Sequence, residues 1–492
     1  MKTIRVAASV LVLCVLAGAR AVAQQDTLSR ADELERQGSF QEAAKTLSAA
    51  LESNTNSPAQ RKQLEFERDR LERIRKDFPW TQEALFAELK KNVRGLSNEE
   101  FGRWVKEGRF DSREIDGTRL FMGSSVGNLF WRYPELSPRR MPPKDTRAVE
   151  RRSWETCVAI KHAAITERKP YVLPKRFRVA MTVTAEPNAA PNGEIIRAWL
   201  PIPREYPFQG DFSLLATSAL LKQMDAKDSA IRSALLEKPA VKDKPTSFKI
   251  DYEYTAHGVW FNVDPTRVRP FDGQDATLKQ FTSEAPHIVF TPEMRALSDR
   301  IAGTESNLYL KAKKFHDWIA ENIKYSFALE YSTMRNIGEY CRSHGYGDCG
   351  QEALLFMTLC RLNGIPARWQ SGWNTFPGAK SIHDWAEIYV APYGWIPVDP
   401  YMGIFAMRYA TSLTPAQRRE IRDFYFGGLD QYRMIANSDH NQRLNPPKES
   451  MRSDNVDFQR GELEWGNHNI YLDEYSYQLE VREMKPNPAR IE

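Results

Sequence analysis

The stretch Gly345-Tyr-Gly-Asp-Cys349-Gly-Gln-Glu-Ala-Leu-Leu-Phe-Met-Thr-Leu-Cys360-Arg-Leu-Asn-Gly364-Ile-Pro-Ala-Arg368 decides how this chain is read. It reads as a loop, a helix and a stop. Gly345 and Gly347 keep the incoming loop open, and Asp348 is placed to cap the helix by accepting a free first-turn N–H. Gly364 and Pro366 end it. Ala353, Phe356, Met357 and Cys360 fall on one apolar face, and Cys349, one turn before Ala353, extends that face. A thiol at the start of a helix meets the positive end of the macrodipole, so the expectation is a Cys349 inclined to the thiolate.

A thiolate nucleophile still needs a base, and the base needs a group to orient it. Two downstream segments supply both: Ile382-His383-Asp384-Trp385-Ala386-Glu387-Ile388-Tyr389-Val390 and Gly394-Trp395-Ile396-Pro397-Val398-Asp399-Pro400. Each reads as a short strand, joined by a tight hairpin at Ala391-Pro392-Tyr393. A loop of that length sets Asp399 opposite Trp385, diagonal to His383 and within side-chain reach. A slip of one residue would put the two on opposite faces. Asp384 is expected to point to the other face from His383, and Glu387 to share the His383 and Trp385 face.

Gly-Asp-Cys349, then Gly364-Ile-Pro-Ala-Arg, His383-Asp-Trp-Ala-Glu and Gly394-Trp-Ile-Pro-Val-Asp399-Pro, in that order, resemble the transglutaminase-like superfamily. The resemblance covers about residues 290–405. It implies a papain-type fold and likeness to the exported bacterial members described as cysteine proteases. By matching position it also implies Cys349 as nucleophile, His383 as base and Asp399 as orienter. Tyr346, Trp373, Trp385 and Glu387 are the candidate substrate-binding residues, with a structural role the leading alternative for Trp373 and Glu387. The Cys349 N–H is a natural oxyanion donor, and a second comes from Tyr346, Gln351 or a tryptophan of the cleft. His344, close to Cys349 in sequence, is a rival base on a glycine-flanked loop.

Met1–Ala23 reads as a signal peptide: Lys2 and Arg5, an apolar run over 6–18, and Ala21-Val-Ala23 as a small-x-small cleavage site. Its removal takes Lys2, Arg5 and Arg20 and no acid, lowering the formal charge from +5 to +2. That balance gives no argument for nucleic acid or a membrane surface, and no later segment is long enough to span a bilayer. The expected location is periplasmic or secreted. Cys157, Cys341, Cys349 and Cys360 remain, too few for a disulfide-stapled fold. Cys360 reads as a small buried apolar group. There is no His-Glu-x-x-His, paired Cys-x-x-Cys or glycine-rich phosphate loop, so the motifs support no metal and no cofactor. Oligomeric state is not set by the sequence.

The expected fold class is α+β. After residues 1–23 come a helical region over 24–170, a β-sandwich-like module over 171–275, and the papain/transglutaminase-like core over 276–410. A C-terminal helix and strands over 411–492 are expected to pack on that core. Gly38-Ser-Phe-Gln-Glu-Ala resembles the turn of a single tetratricopeptide-type unit, and 58–77 reads as a charged helix with a solvated face. Alternation of Phe177, Val179, Met181 and Val183, of Ile196, Ala198, Leu200 and Ile202, and of Phe248, Ile250, Tyr252 and Tyr254 marks strands. Residues 216–236 read as helical or flexible, and 414–433 as helical. Arg452, Asp457 and Arg460 are within reach of the cleft, but read first as a surface ion network. The functional expectation is a cysteine hydrolase acting on a peptide, isopeptide or glycopeptide amide. The alternatives are an amine-transferring crosslinker and a non-catalytic peptide- or glycan-binding scaffold.

Overall fold

The computed structural model describes residues 26–53, 56–273 and 275–484. Met1–Ala23, the segment expected to be a signal peptide, lies outside them. The chain divides into two compact units, Met1–Lys144 and Asp145–Glu492.

The first unit is helical. Helices over 26–36 and Phe40–Leu51 turn at Gly38, whose φ is +80° and whose Cβ position would lie 2.9 Å from the Glu114 carbonyl oxygen, so a side chain there is strained twice. Helix Pro58–Asp77 starts at a Ser57 capping box and buries Leu64, Leu71 and Ile74. Its charged residues are not all solvated. Arg70 and Arg73 are buried, and Arg70 is held by Glu35 and by Glu67 at 2.9 Å, as a cation out of water must be. Helices Gln82–Asn92 and Asn98–Lys106, the hairpin Ser112–Ile115 and Thr118–Phe121, and helix Ser125–Arg132 complete the unit.

The second unit opens with α1 (Arg147–Glu167), so the helical region expected to reach 170 is divided at 144. Six strands follow: β1 (Tyr171–Ala185), β2 (Ile195–Pro201), β3 (Gln209–Thr217), β4 (Leu220–Met224), β5 (Ser233–Pro239) and β6 (Thr246–Trp260). The twelve alternating residues named above are all buried between two sheets. The stretch 216–236 is thus mostly strand, not helix. Pairing of β4 with β5 and of β3 with β6 decides it, a tertiary effect that local propensity does not carry.

The core comes next: α2 (Pro292–Ala302), α3 (Leu308–Asn322), α4 (Ile337–His344), α5 (Cys349–Leu362), β7 (Ala367–Asn374), β8 (Ser381–Val390), β9 (Gly394–Val398) and α6 (Pro400–Ile404). Helix α5 is buried over nearly its whole length. Its residues Ala353, Phe356, Met357 and Cys360 meet α2, α3 and one face of the sheet in a single apolar cluster. The sheet is antiparallel in the order β9, β8, β7, β11, the last being Arg433–Asn437.

Helix α7 (Pro415–Phe424) stops earlier than expected because Gly427-Gly428 follows it, and the chain turns into β10 (Gly428–Leu429) and then β11. The final strands do not pack on the core as expected. Strand β12 (Glu462–Trp465) pairs with β2 and with β13 (His468–Ile470), and β14 (Tyr475–Met484) pairs with β1 along all 10 of its residues. The sandwich begun at Tyr171 is therefore closed only at the far end of the chain.

Candidate active site

Asp348 caps α5. Its carboxylate accepts the Gln351 N–H at 3.1 Å, the Gln351 side-chain oxygen accepts the Asp348 N–H at 3.1 Å, and the Tyr331 hydroxyl donates to Asp348 Oδ1 at 2.5 Å. Cys349 follows at the first helical position, 8% exposed. Gly350 next to it admits no side chain: a Cβ would come 2.1 Å from the Tyr331 hydroxyl and 2.9 Å from Asp384 Oδ2.

Strand β8 carries two faces past this helix end. Ala386 and Ile388 lie in the cluster beneath α5, and Asp384 shares that direction. Cys349 Sγ donates to Asp384 Oδ2 at 3.5 Å, while Asp384 Oδ1 accepts from the Gln459 amide at 2.6 Å. His383 and Trp385 occupy the other face, as expected. The hairpin register is also as expected: Val390 pairs with Gly394 and Ala386 with Val398, which brings Asp399 opposite Trp385.

His383 Nε2 lies 2.7 Å from Asp399 Oδ2. The same oxygen accepts from Arg433 Nη2 at 3.0 Å, and Oδ1 accepts the Met402 N–H at 3.2 Å to cap α6. The imidazole is stacked on Trp385 at 5.5 Å and meets Tyr401 edge-on at 5.3 Å. The structure thus brings His383 and Asp399 into direct contact and sets Cys349 against the residue next to His383. No hydrogen bond joins Cys349 to His383 among the described residues.

The electrostatics correct one expectation. Burial pushes the Cys349 thiol well up, and Asp384 and Asp348 push it further, so the helix dipole does not leave a thiolate at rest. Burial raises Asp348 to about 6 against its Tyr331 and Gln351 hydrogen bonds, and burial with Asp348 nearby drives Asp384 well above the carboxylate range. Burial would raise Asp399 too, but His383, Arg433 and the Met402 N–H outweigh it and hold the carboxyl below its ordinary value. Burial lowers His383 despite Asp399. Glu352, one turn into α5, is buried with no hydrogen-bond partner for either oxygen among the described residues, and burial pushes it well up into the neutral acid.

The substrate-binding candidates fare differently. Trp373 is buried in the sandwich core and its indole N–H donates to the Gln459 carbonyl at 3.0 Å, so it lines no cleft. Trp385 is fully buried, donates to Gln370 at 2.6 Å and supports the His383 ring from below. Glu387 is buried in an ion pair with Arg368 at 2.6 Å, the structural role. Tyr346 is half-buried and meets Tyr340 and His344 ring to ring. His344 itself stacks on Tyr340 at 3.9 Å with Nδ1 on the Tyr340 carbonyl, which commits the rival base elsewhere. The ion network expected at the surface is half-buried: Arg460 holds Glu330 at 3.1 and 2.9 Å and the buried Asp454 at 3.2 Å. Sequence reasoning missed Arg433, Gln459 and Tyr331. All three reach the site from outside the quoted motifs, so spacing carried no signal for them.

Residues 295–400 match the family model of the transglutaminase-like superfamily, and this part of the chain is a transglutaminase-like core of α+β type. Among solved structures, the chain is similar to a "putative cysteine protease" from Cytophaga hutchinsonii, with 16% identity and a TM-score of 0.41 over 64% of this chain and 93% of that one. It is also similar to the periplasmic domain of TgpA from Pseudomonas aeruginosa, with 16% identity and a TM-score of 0.27 over 49% of this chain and 93% of that one. No curated protein matches the sequence. Among the described residues, no helix is long and apolar enough to cross a membrane.

Proposed function

We propose that the protein is an exported transglutaminase-like cysteine hydrolase that opens a peptide, isopeptide or glycopeptide amide through an acyl-thioester on Cys349. The observation that carries this reading is the buried His383–Asp399 pair at 2.7 Å, on a strand whose next residue touches the Cys349 sulfur. Asp399 occupies Nε2 of the imidazole, so Nδ1 is the nitrogen that takes the thiol proton, after the sulfur turns from Asp384. The thiolate adds to the amide carbonyl, and His383 returns the proton to the departing amine. Asp399, kept ionised by Arg433, stabilises the imidazolium formed in between. Water then releases the acid and frees the sulfur.

Three forms of the chain test this reading with an alkyne-bearing iodoacetamide probe: wild type, Cys349→Ala and Cys360→Ala. Labelling lost in Cys349→Ala and kept in Cys360→Ala supports the enzyme, and equal labelling of both variants overturns it in favour of a binding scaffold. Incubation with a library of peptides and cell-wall fragments then separates the reactions. Free acids that depend on Cys349 mark hydrolysis, and new amides formed with an added amine mark transfer.

A further inference from the structure

Acyl transfer to a thiolate needs two donors aimed at the oxygen that turns anionic. The Cys349 N–H, in the first turn of α5 where no helical carbonyl reaches it, is one. The side chains the sequence offers for the second are committed elsewhere. Gln351 closes the capping box and turns its amide to the Met334 sulfur. Trp373 and Trp385 donate to Gln459 and Gln370, and Tyr346 lies in ring contact with Tyr340 and His344. The Tyr331 hydroxyl is given to Asp348.

The polar side-chain atom bonded to the sulfur is Asp384 Oδ2, 3.5 Å away. Its companion Oδ1 accepts from the Gln459 amide at 2.6 Å, so a proton on this carboxyl sits on Oδ2, the oxygen that faces Cys349. The same amide donates to the His383 carbonyl at 2.8 Å, which locks its orientation. Gly350 leaves the space that Oδ2 occupies.

Resting on the acyl-transfer reading above, we propose that Asp384, as a carboxylic acid, is the second oxyanion donor. As the Cys349 sulfur bonds to the carbonyl carbon, the displaced C=O electron pair moves onto oxygen, and the Asp384 Oδ2–H hydrogen-bonds that oxygen. The pair returns to rebuild C=O when the C–N bond breaks and the amine leaves with the proton from His383. Asp384 itself neither gains nor loses a proton.

The groups facing Asp384 are Asp348 and Cys349 from the cap and first turn of α5, Tyr331 from the segment before α4, and Asp454, Asp457, Gln459 and Arg460 from the segment before β12. Burial and Asp348 push its carboxyl well up, and Cys349 and Arg460 pull the other way without reversing it. An ionised Asp384 would repel both thiolate and oxyanion. Activity therefore falls on the alkaline side as Asp384 loses its proton.

Stopped-flow acylation by p-nitrophenyl acetate across pH, on the full chain, tests the proposal, with iodoacetamide alkylation of Cys349 reading the nucleophile alone. Asp384→Asn keeps an N–H donor at the Oδ2 position and an acceptor for Gln459. It acylates within about tenfold of wild type and loses the alkaline fall, whereas Asp384→Ala acylates about 10²–10³-fold slower with Cys349 still alkylated. Acylation by Asp384→Ala within about threefold of wild type overturns the donor role. So does an Asp384→Asn variant that keeps the wild-type alkaline fall, a readout that stands even if Asp384→Ala does not fold. Acylation that persists in Cys349→Ala overturns the acyl-transfer reading itself, a distinct failure.

Discussion

Asp399 serves three partners with two oxygens: Oδ1 caps α6, and Oδ2 receives both His383 and Arg433. Amidation to Asn keeps the shape but presents a neutral oxygen to an imidazole that must become charged. Asp399→Asn is expected to lower Cys349-dependent turnover by about 10⁴-fold, the scale of such a change in hydrolytic triads, with the alkylation of Cys349 used to show that the site is intact. Arg433 is buried between Asp399 and Asp430, 3.0 and 3.5 Å from their carboxylates. Arg433→Met strands two buried anions, and urea unfolding should show a loss of about 3–5 kcal/mol. A loss under about 1 kcal/mol would mean that water reaches these carboxylates. Gly350→Ala would drive a methyl into the Tyr331 hydroxyl, and overpacking of this kind costs about 1–3 kcal/mol by the same measurement. His383 and Asp399 were legible as a pair because a three-residue loop fixes their register. Arg433 was not, since nothing in Arg433-Met-Ile-Ala-Asn distinguishes it from any cation until the strand is laid beside β7.

At the scale of the element, the start of α5 concentrates both the favourable and the unfavourable terms. Asp348 satisfies first-turn N–H groups, yet burial raises its folded pKa to about 6 from an ordinary 3.8. A raised folded value means that the native state holds this proton more tightly than the unfolded chain. The stability it contributes is full below about pH 4 and is lost as pH rises through about 6. Asp348→Asn removes the titration while asparagine caps a helix about as well as aspartate. The variant should therefore be more stable than wild type at pH 7, by at most about 3 kcal/mol, and the gain should vanish at pH 4. Circular dichroism melts between pH 4 and 8 check this, and a difference independent of pH refutes it. The same helix shows what a sequence discloses at this scale. Cap, apolar face and glycine stop are local and were legible. Of the carboxylates that join burial in raising the thiol, Asp348 is the cap itself, but Asp384 is supplied by β8, and no periodicity within α5 encodes it.

Across the whole molecule, the second unit is threaded so that its sandwich is opened by β1 to β6, left for the core, and closed by β12 and β14. That return path carries Arg433 to Asp399 and Gln459 to Asp384, so closure of the sandwich and completion of the site are one event. The alternating strands could be read from the sequence, but their partners could not, because β1 and β14 pair across roughly 300 residues and alternation fixes a face without naming a neighbour. A chain of residues 145–492 should unfold in urea as one cooperative transition, since core and sandwich share the buried contacts of Trp373, Met434 and Tyr432. A chain of residues 145–457 loses Gln459 together with β12 to β14, leaving β1 and β2 with bare edges and Asp384 without the amide that orients it. Exposed strand edges recruit other chains, so this shorter form should elute as soluble aggregate on gel filtration and show no cooperative transition. A synthetic peptide covering 458–484, added during refolding, should restore the monomer by filling the two vacant strand positions. Should 145–457 instead refold unaided to a cooperative monomer, the core stands without the sandwich's return, and the coupling between fold closure and site completion fails.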